Sequence, residues 1–274
     1  MSPILVLSEA ALLPKGPTLQ LELMPSRTLF VFGPNGSGKS EFLAALLGER
    51  KLGQGKAQIR GKAVLARPEV KKRTTPLGLA KTFSGASGND RLGEALNALG
   101  LWEVRNTPIA SLTPAERRAC ELVEGLVSKP DLILIDHQLD TLDPWRLPTT
   151  LQVLQRRVAS GAALVAATNL PWLARGADRI VVLRASEVVF SGSYPDLERR
   201  ATPGTLEIET HQSEGVRALV APFALEVSET SAGLRVRARE GQEVAAKLLV
   251  EGYGDVEAVV VKRPTPEELL RSLF

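Results

Sequence analysis

Short apolar runs alternate with longer amphipathic stretches over the first two hundred residues, a pattern typical of strands alternating with helices. Strands are predicted at 4–7, 18–23, 29–32, 57–60, 63–66, 132–136, 163–168, 179–183 and 187–190. Helices are predicted from about 41 to 47, within 77–101, at 113–128 and 145–159, and briefly at 171–175. The run 132–135 is wholly apolar, which is typical of a strand buried on both faces of a parallel sheet. We therefore expect an α/β core with helices on both faces of a parallel sheet.

A second series of elements follows Thr202-Pro203-Gly204, a turn-forming stretch that we predict to be the domain boundary. The predicted order is strand 205–210, helix 213–220, strands 224–228 and 234–238, helix 240–251, strand 256–261 and a terminal helix from 265 or 266. This β-α-β-β-α-β order resembles that of ferredoxin-like domains. We expect a first domain at 1–203, with a helical part at about 76–128, and a small α+β domain at 204–274.

Composition narrows the classes of protein to which the chain can belong. The 274 residues exceed the usual size of a single core, and no apolar run approaches the roughly 18 residues of a membrane-spanning helix. The one cysteine, Cys120, excludes an internal disulfide framework, suits a reducing cytoplasm and is expected to be a small buried side chain. The three tryptophans, Trp102, Trp145 and Trp172, are scattered and are expected to be packing residues.

The net charge of +3 argues only weakly for a nucleic-acid partner, and we expect none. Residues 204–274 carry 8 basic and 12 acidic side chains, net −4, which leaves +7 on the remainder of the chain. A basic phosphate-handling body with an acidic appendage is one interpretation of this asymmetry. Ordinary scatter of surface charge is the other.

The stretch after the strand at 29–32 has the composition of a phosphate-binding loop. It is Gly33-Pro34-Asn35-Gly36-Ser37-Gly38-Lys39-Ser40, and it opens directly onto an apolar helix. Glycines allow backbone N–H groups to close around phosphate oxygens, and the helix N-terminus adds partial positive charge. In this motif the lysine, here Lys39, reaches the β- and γ-phosphates, and the hydroxyl of Ser40 ligates Mg²⁺. Asp136 ends the buried strand at 132–136, where an acid in such proteins holds the Mg²⁺.

In order and spacing, residues 4–200 resemble the nucleotide-binding subunit of an ABC transporter. Gly33–Ser40 matches the Walker A loop of that family, and 130–143 parallels its stretch from the proline before Walker B to the D-loop, here Leu142-Asp143. Leu112-Thr113-Pro114-Ala115-Glu116 stands where the family carries its Leu-Ser-Gly-Gly-Gln signature. The final 70 residues or so are similar to the appended domain of ABC-2-type export ATPases.

The resemblance implies a P-loop NTPase core of the ABC ATPase type that binds ATP and Mg²⁺. It also implies a membrane-spanning permease subunit and a second, identical or different, ATP-binding subunit as partners. The expected location is cytoplasmic, peripheral on the inner face of the cell membrane. The expected function is that of an ATP-binding subunit of an export system.

Several residues depart from the pattern of the family. His137 occupies the position of the glutamate that polarises the attacking water, and Asn169 that of the switch histidine. No glutamine occurs between Gly61 and Ser111, where the family carries the residue that senses Mg²⁺ and the permease. A neighbouring acid and phosphate favour the cationic form of a histidine, which is a poor base. We therefore expect ATP binding with slow hydrolysis, so that the chain is an ATPase by resemblance only.

The signature-like segment has two interpretations. Thr113 keeps a hydroxyl and Ala115 keeps a backbone N–H for a contact in trans with nucleotide, whereas Glu116 brings negative charge towards a triphosphate. Alternatively, Thr113 and Glu116 form a capping box with Pro114 in the first helical turn, and contribute little to phosphate binding.

Two rival functions follow from the same residues. An ATP-responsive scaffold would dimerise on binding ATP and hydrolyse almost none of it. A P-loop kinase or a DNA-linked ATPase is disfavoured by the signature-like helix start, the D-loop Leu142-Asp143 and the modest charge.

Overall fold

A computed structural model describes residues 2–66, 74–84, 89–200, 204–238, 241–251 and 255–274 of the chain. Its internal contacts divide the chain into two compact units, residues 1–194 and 195–274. The predicted domain boundary at 203/204 falls beside residues 201–203, which lie outside the described ranges. Within the described residues, no helix is long and apolar enough to cross a membrane.

The strands of the first unit are β1 (Leu5–Ala11), β2 (Leu19–Leu23), β3 (Thr28–Phe32), β4 (Gln54–Ile59), β5 (Ala63–Leu65), β6 (Leu132–Asp136), β7 (Ala163–Ala167), β8 (Arg179–Arg184) and β9 (Glu187–Gly192). Its helices are α1 (Lys39–Leu46), α2 (Pro76–Ser84), α3 (Asn89–Ala98), α4 (Pro114–Cys120), α5 (Val123–Val127) and α6 (Arg146–Ala159). Short 3₁₀ turns occupy Ile109–Ser111, Gln138–Thr141 and Pro171–Gly176.

A six-stranded sheet forms the centre of this unit, in the order β5-β6-β7-β3-β8-β9. All neighbouring pairs are parallel except β8 and β9. Every residue of β6 from Leu132 to Ile135 is buried, as expected of a strand covered on both faces, and Leu132 and Leu134 pack in the cluster that contains α1. The predicted parallel α/β core is confirmed.

A three-stranded antiparallel sheet, in the order β2-β1-β4, packs against the other side of α1. Phe42 and Leu43 of α1 are buried in the cluster that both sheets share, and each such side chain contributes about 1.5–3 kcal/mol by leaving water. This packing fixes the N-terminus of α1 at the carboxyl ends of β3 and β6.

The helical region differs from the prediction at one point. A continuous helix was expected over 113–128, but α4 ends at Cys120 and α5 begins at Val123. The backbone turns at Glu121 and Leu122, where Leu122 inserts its fully buried side chain into the core. Both residues keep right-handed helical φ and ψ values, and their N–H groups donate to the carbonyls of Arg118 and Ala119, three residues back instead of four. This change of hydrogen bonding interrupts the regular helix. The expectation of a helical pattern over 77–101 is met by α2 and α3, and residues 85–88 lie outside the described ranges.

The second unit contains α7 (Tyr194–Arg200, whose first residue closes the first unit), β10 (Gly204–Glu209), α8 (Ser213–Val220), β11 (Ala224–Thr230), β12 (Gly233–Ala238), α9 (Gly241–Glu251), β13 (Ala258–Lys262) and α10 (Pro266–Arg271). Its strands form one antiparallel sheet in the order β11-β12-β10-β13. Apolar residues of α8 and α9 cover one face, so the predicted β-α-β-β-α-β arrangement is confirmed.

The expectation that all three tryptophans are packing residues was wrong. Trp145 is 87% exposed and Trp172 is 49% exposed. Only Trp102 is packed, with the guanidinium of Arg105 lying 4.3 Å from the centre of its ring. Trp145 stands at the start of α6, directly after the turn that Asp143 organises, and its side chain projects into solvent.

Candidate functional site

The loop from Gly33 to Ser40 connects β3 to α1 and adopts a conformation that requires glycine. Gly33, Gly36 and Gly38 have φ values of 152°, 78° and 97°. A Cβ atom on Gly33 would lie 2.3 Å from the carbonyl oxygen of Leu183, so no larger residue fits there. Pro34, Asn35 and Gly36 form the exposed tip of the loop.

Lys39 lies beneath this loop. Its Nζ atom donates to the carbonyl oxygens of Gly33 at 2.5 Å and Pro34 at 3.0 Å, and the residue is 3% exposed. Burial lowers the pKa of Lys39, and the nearby carboxylates of Asp140 and Asp136 act in the opposite direction. An ammonium has three donors, so one remains for an anion above the loop.

The loop also holds a buried hydroxyl that fits an anionic ligand. Ser37 is 2% exposed, and its Oγ has no hydrogen-bond partner among the described residues. Unsatisfied buried polar atoms are costly, which marks a position where a partner is expected to bind. With the glycine conformations, the Lys39 ammonium and the N-terminus of α1, this hydroxyl makes the loop suitable for polyphosphate.

Ser40 and Asp136 meet at the end of β6, as the sequence predicts for a pair of Mg²⁺ ligands. The Ser40 hydroxyl donates to Oδ1 of Asp136 at 2.9 Å. Both are oxygen donors of the kind that Mg²⁺ prefers, one carboxylate and one hydroxyl, and Ser40 is exposed. The donor set therefore fits a Mg²⁺ ion that is held chiefly by water and phosphate.

His137 follows Asp136 in the left-handed backbone region, with φ of 68°. The Nδ1 atom of its ring lies 2.9 Å from Oδ2 of Asp140, and its Nε2 atom lies 4.0 Å from Oδ1 of Asp136. The side chain is 30% exposed, so it borders the site and remains accessible to solvent.

Asn169 lies beside the phosphate loop, following β7. Its Nδ2 donates to Oδ1 of Asn35 at 3.0 Å, and its backbone N–H donates to Asp140 at 2.8 Å. The amide can donate to a phosphate oxygen but carries no charge. The structure thus brings together three groups predicted from the sequence, namely the loop, the Asp136–His137 pair and Asn169.

The signature-like segment has the capping box that was predicted for it. Glu116 Oε2 accepts from the backbone N–H and the hydroxyl of Thr113, each at 2.8 Å, and Thr113 Oγ1 accepts from the Glu116 N–H at 3.3 Å. These bonds hold the pKa of Glu116 below its usual value, the backbone bond having the largest effect. Ala115 is exposed in the same turn.

Asp143, the predicted D-loop acid, organises the start of α6. Its Oδ1 accepts from the backbone N–H groups of Trp145 and Arg146 at 3.0 and 2.9 Å, and its Oδ2 lies 3.2 Å from Nε of Arg146. The carboxylate is thus committed to helix initiation within the chain.

Two polar residues of this site were missed by sequence reasoning. Asp140 accepts hydrogen bonds from Thr168 and Asn169 and contacts His137. Gln138 is 3% exposed, and its Oε1 accepts from the Asp136 N–H at 2.6 Å. Both residues lie within four positions of Asp136 in the sequence. An amide and an acid so close to the Walker B strand could have been proposed as site residues from the sequence alone.

Gln138 also joins two parts of the site that are distant in sequence. Its Nε2 donates to Oε2 of Glu121 at 3.2 Å, just after the end of α4. The helix that carries the signature-like segment is therefore linked, through one buried amide, to the backbone of Asp136.

Comparison with known proteins places these features in a family context. Residues 17–139 match the ABC transporter family. The hemin import ATP-binding protein HmuV of Pseudomonas aeruginosa is 31% identical over 193 residues, which cover 61% of this chain and 76% of that protein. The daunorubicin/doxorubicin resistance ATP-binding protein DrrA of Streptomyces peucetius is 23% identical over 205 residues, covering 67% of this chain and 62% of that protein.

A solved structure has the same fold. It is described as an ATP binding subunit of an ABC transporter, and it superposes with a TM-score of 0.62 at 19% identity. The match covers 72% of this chain and 92% of that one. At this identity the likeness concerns the fold alone.

Proposed function

Because the chain belongs to the ABC transporter ATP-binding family, we propose that it is the ATP-binding subunit of an export system and hydrolyses ATP slowly. The observation that carries the proposal is the hydrogen bond between the Ser40 hydroxyl and the Asp136 carboxylate. It brings the phosphate loop and the Walker B strand together where Mg-ATP would bind. A separate membrane permease is the proposed partner, in line with the import function in the name of one curated relative, HmuV.

The proposed ligand is Mg-ATP, which when bound supplies the terminal phosphoryl group for hydrolysis. The backbone of residues 33–38 and the Lys39 ammonium would hold its phosphates, and Ser40 with Asp136 would hold the metal. The third N–H of the Lys39 ammonium would donate to a phosphate oxygen, whose negative charge would offset the desolvation of the buried cation.

Slow hydrolysis is proposed from the residues around the terminal phosphate. His137 stands in place of the usual base and is engaged by Asp140 at 2.9 Å, and Asn169 supplies a neutral amide. A well-placed general base contributes about 10²–10⁴ in rate, so its replacement has a large effect. In this proposal, ATP binding closes two ATP-binding subunits on each other, and this closure is the main conformational change that is transmitted to the permease.

A dimer of ATP-binding subunits, identical or different, is part of the proposal. In such a dimer the segment Thr113–Glu116 of one chain would face the nucleotide of the other. Its hydroxyl and carboxylate are engaged in the capping box, so we assign the contact to the exposed residue Ala115.

Export is proposed because the second unit has the β-α-β-β-α-β topology that the sequence likens to ABC-2-type export ATPases. One relative is named for drug resistance and another for hemin import, so relatives of both kinds occur. Inside-out vesicles that contain the copurified permease discriminate the two directions. ATP-dependent accumulation of substrate within them supports export, and ATP-dependent release supports import.

An ATP-responsive scaffold is the second candidate, favoured by the engagement of His137 and Glu116 within the chain. In a scaffold the output is dimerisation, and hydrolysis contributes nothing. Cells that carry His137→Ala distinguish the two candidates, since the scaffold keeps its function and the transporter subunit loses it.

Affinity purification of the full chain from membranes of its own cells tests the proposal. We expect a membrane-spanning chain to copurify, and ATP to alter the amount of dimer. Recovery of the chain without any membrane-spanning partner, together with failure to bind ATP, would overturn the proposal.

A further inference from the structure

Asp140 is the polar residue with the most connections at this site, and neither the sequence motifs nor the family match assigns it a role. Its side chain is 15% exposed and lies between two segments, the turn that follows β6 and the turn that follows β7. We propose that Asp140 is a positioning residue that fixes His137 in one tautomer and joins it to Thr168 and Asn169.

The two carboxylate oxygens of Asp140 receive three donors. Oδ2 accepts from the backbone N–H of Asn169 at 2.8 Å and lies 2.9 Å from Nδ1 of His137. Oδ1 accepts from the hydroxyl of Thr168, which is completely buried. That hydroxyl accepts from the N–H of Leu170 at 3.1 Å, so its own hydrogen is free for Asp140.

This arrangement selects the tautomer of His137. A carboxylate has only acceptors, so the ring nitrogen that faces it must carry the hydrogen. In the neutral imidazole, a protonated Nδ1 leaves Nε2 with a lone pair. That Nε2 lies on the side of the ring towards Asp136, 4.0 Å from its Oδ1, where a water could donate to it.

Asp140 also affects the charge of Lys39 in the phosphate loop. Its carboxylate is the first of the two charges that favour the protonated form of Lys39 and so oppose the lowering of the Lys39 pKa by burial. The same carboxylate therefore orients His137, anchors the segment that carries Asn169, and supports the charge beneath the phosphates.

This inference rests on the proposed function, because an oriented Nε2 matters only if a water attacks a bound phosphate. Asp140→Asn keeps the volume of the side chain and replaces one acceptor by a donor. With its NH2 group towards His137 and Asn169, the amide accepts from neither of them. With its oxygen there, it is a neutral and weaker acceptor than the carboxylate, and the NH2 group meets the Thr168 hydroxyl. In either orientation the tautomer preference of His137 is weakened.

Nuclear magnetic resonance of the full chain, labelled with ¹⁵N-histidine, tests the tautomer directly. The sequence contains two histidines, and His211→Gln leaves His137 as the only signal. In mildly alkaline buffer we expect couplings that show a protonated Nδ1 and a bare Nε2. A neutral ring whose hydrogen is on Nε2 would overturn the proposal, whether or not an Asp140 variant folds.

The second arm compares Asp140→Asn with Asp131→Asn, which makes the same change at the other end of β6. Asp131 accepts from the Lys62 N–H at 2.7 Å and precedes the strand that Asp136 ends. We expect Asp140→Asn to mix the tautomers and lower single-turnover hydrolysis at saturating ATP about tenfold. Asp131→Asn should change neither quantity.

The two arms separate this inference from the proposed function. A chain that binds no ATP contradicts the function, and the tautomer of His137 can still be measured. Binding of ATP with an unaltered tautomer in Asp140→Asn contradicts the positioning role and leaves the function intact.

Discussion

The Nδ1 atom of His137 lies 2.9 Å from Oδ2 of Asp140, so the residue in the position of the usual catalytic glutamate is in contact with a carboxylate. A glutamate at 137 would bring two negative charges together at this point. Like charges in contact disfavour the ionised state of both groups. The carboxylate at position 140 would therefore weaken a glutamate at position 137 as a base.

We predict that His137→Glu raises the ATPase rate and that His137→Glu combined with Asp140→Asn raises it further. The first change supplies a carboxylate base, whose contribution is about 10²–10⁴ when it is well placed, and the second removes the repulsion. Steady-state phosphate release by the three proteins measures this. His137→Gln, which supplies no base, is the control and should not exceed the unaltered chain. A double variant slower than His137→Glu alone would contradict the prediction.

Gln138 should contribute measurably to stability because it satisfies a buried N–H. Gln138→Leu removes the side-chain hydrogen bonds to the Asp136 N–H and to Glu121. An unsatisfied buried polar group costs about 1–3 kcal/mol of folding free energy. Urea unfolding of the full chain measures the loss. Gln20→Leu, at an exposed position of β2, is the matched control and should shift the transition little. Equal effects of the two substitutions would show that the Gln138 bonds contribute nothing.

The chain contains two capping boxes that provide a matched pair, Thr113–Glu116 and Thr265–Glu268. Thr113→Ala and Thr265→Ala should each destabilise the helix that they cap by about 1 kcal/mol. If Thr113 also contacts nucleotide in trans, only Thr113→Ala will weaken ATP-dependent dimerisation, which light scattering detects. Equal dimerisation of the two variants would restrict Thr113 to capping.

The first box should also respond to pH. The pKa of Glu116 is lowered from 4.5, mainly by the Thr113 N–H, so folding favours the ionised form. Its stabilising effect is present above pH 4.5 and is lost as the pH falls through the lowered value. Thr113→Ala keeps the backbone N–H and removes only the hydroxyl, which is the second cause of the lowered pKa. It should therefore cost somewhat less stability in strongly acidic buffer than at neutral pH, as thermal unfolding would show. A cost that is independent of pH would contradict this assignment.

Cys120 should be inert in the folded chain. Burial, and secondarily the charges of Glu116 and Glu121, raise the pKa of its thiol to about 12, and the side chain is fully buried. Since it is the only cysteine in the sequence, a disulfide exchange reagent reports on this site alone. We expect reaction with the reagent to be slow in native buffer at neutral pH and rapid in urea. Rapid reaction in native buffer would show that α4 opens.

Most of the fold could be predicted from the sequence, because the residues that determine it are local. Leu132–Ile135 is apolar throughout and forms the buried strand β6, and the spacing of Gly33, Gly38 and Lys39 predicts the loop that the structure contains. The capping box at Thr113 is local, so its residues are enough to predict it.

The rest depended on contacts between distant segments. The interruption between α4 and α5 is a change of hydrogen bonding at Glu121 and Leu122, and Trp145 is exposed although its type favours packing. The role of Asp140 needs Thr168 and Asn169, which lie 28 and 29 residues away in sequence. Tertiary hydrogen bonds of this kind leave no periodicity from which they could be predicted.

The central claim is that the chain binds Mg-ATP and turns it over slowly. Measuring ATP affinity and steady-state turnover in one purified preparation, beside Lys39→Ala and the exposed control Lys56→Ala, tests it most directly. We predict ATP binding that Lys39→Ala abolishes and Lys56→Ala preserves, with turnover at least about tenfold below the roughly 1–10³ s⁻¹ of typical enzymes. Turnover within that range, or ATP binding unchanged in Lys39→Ala, would contradict the account.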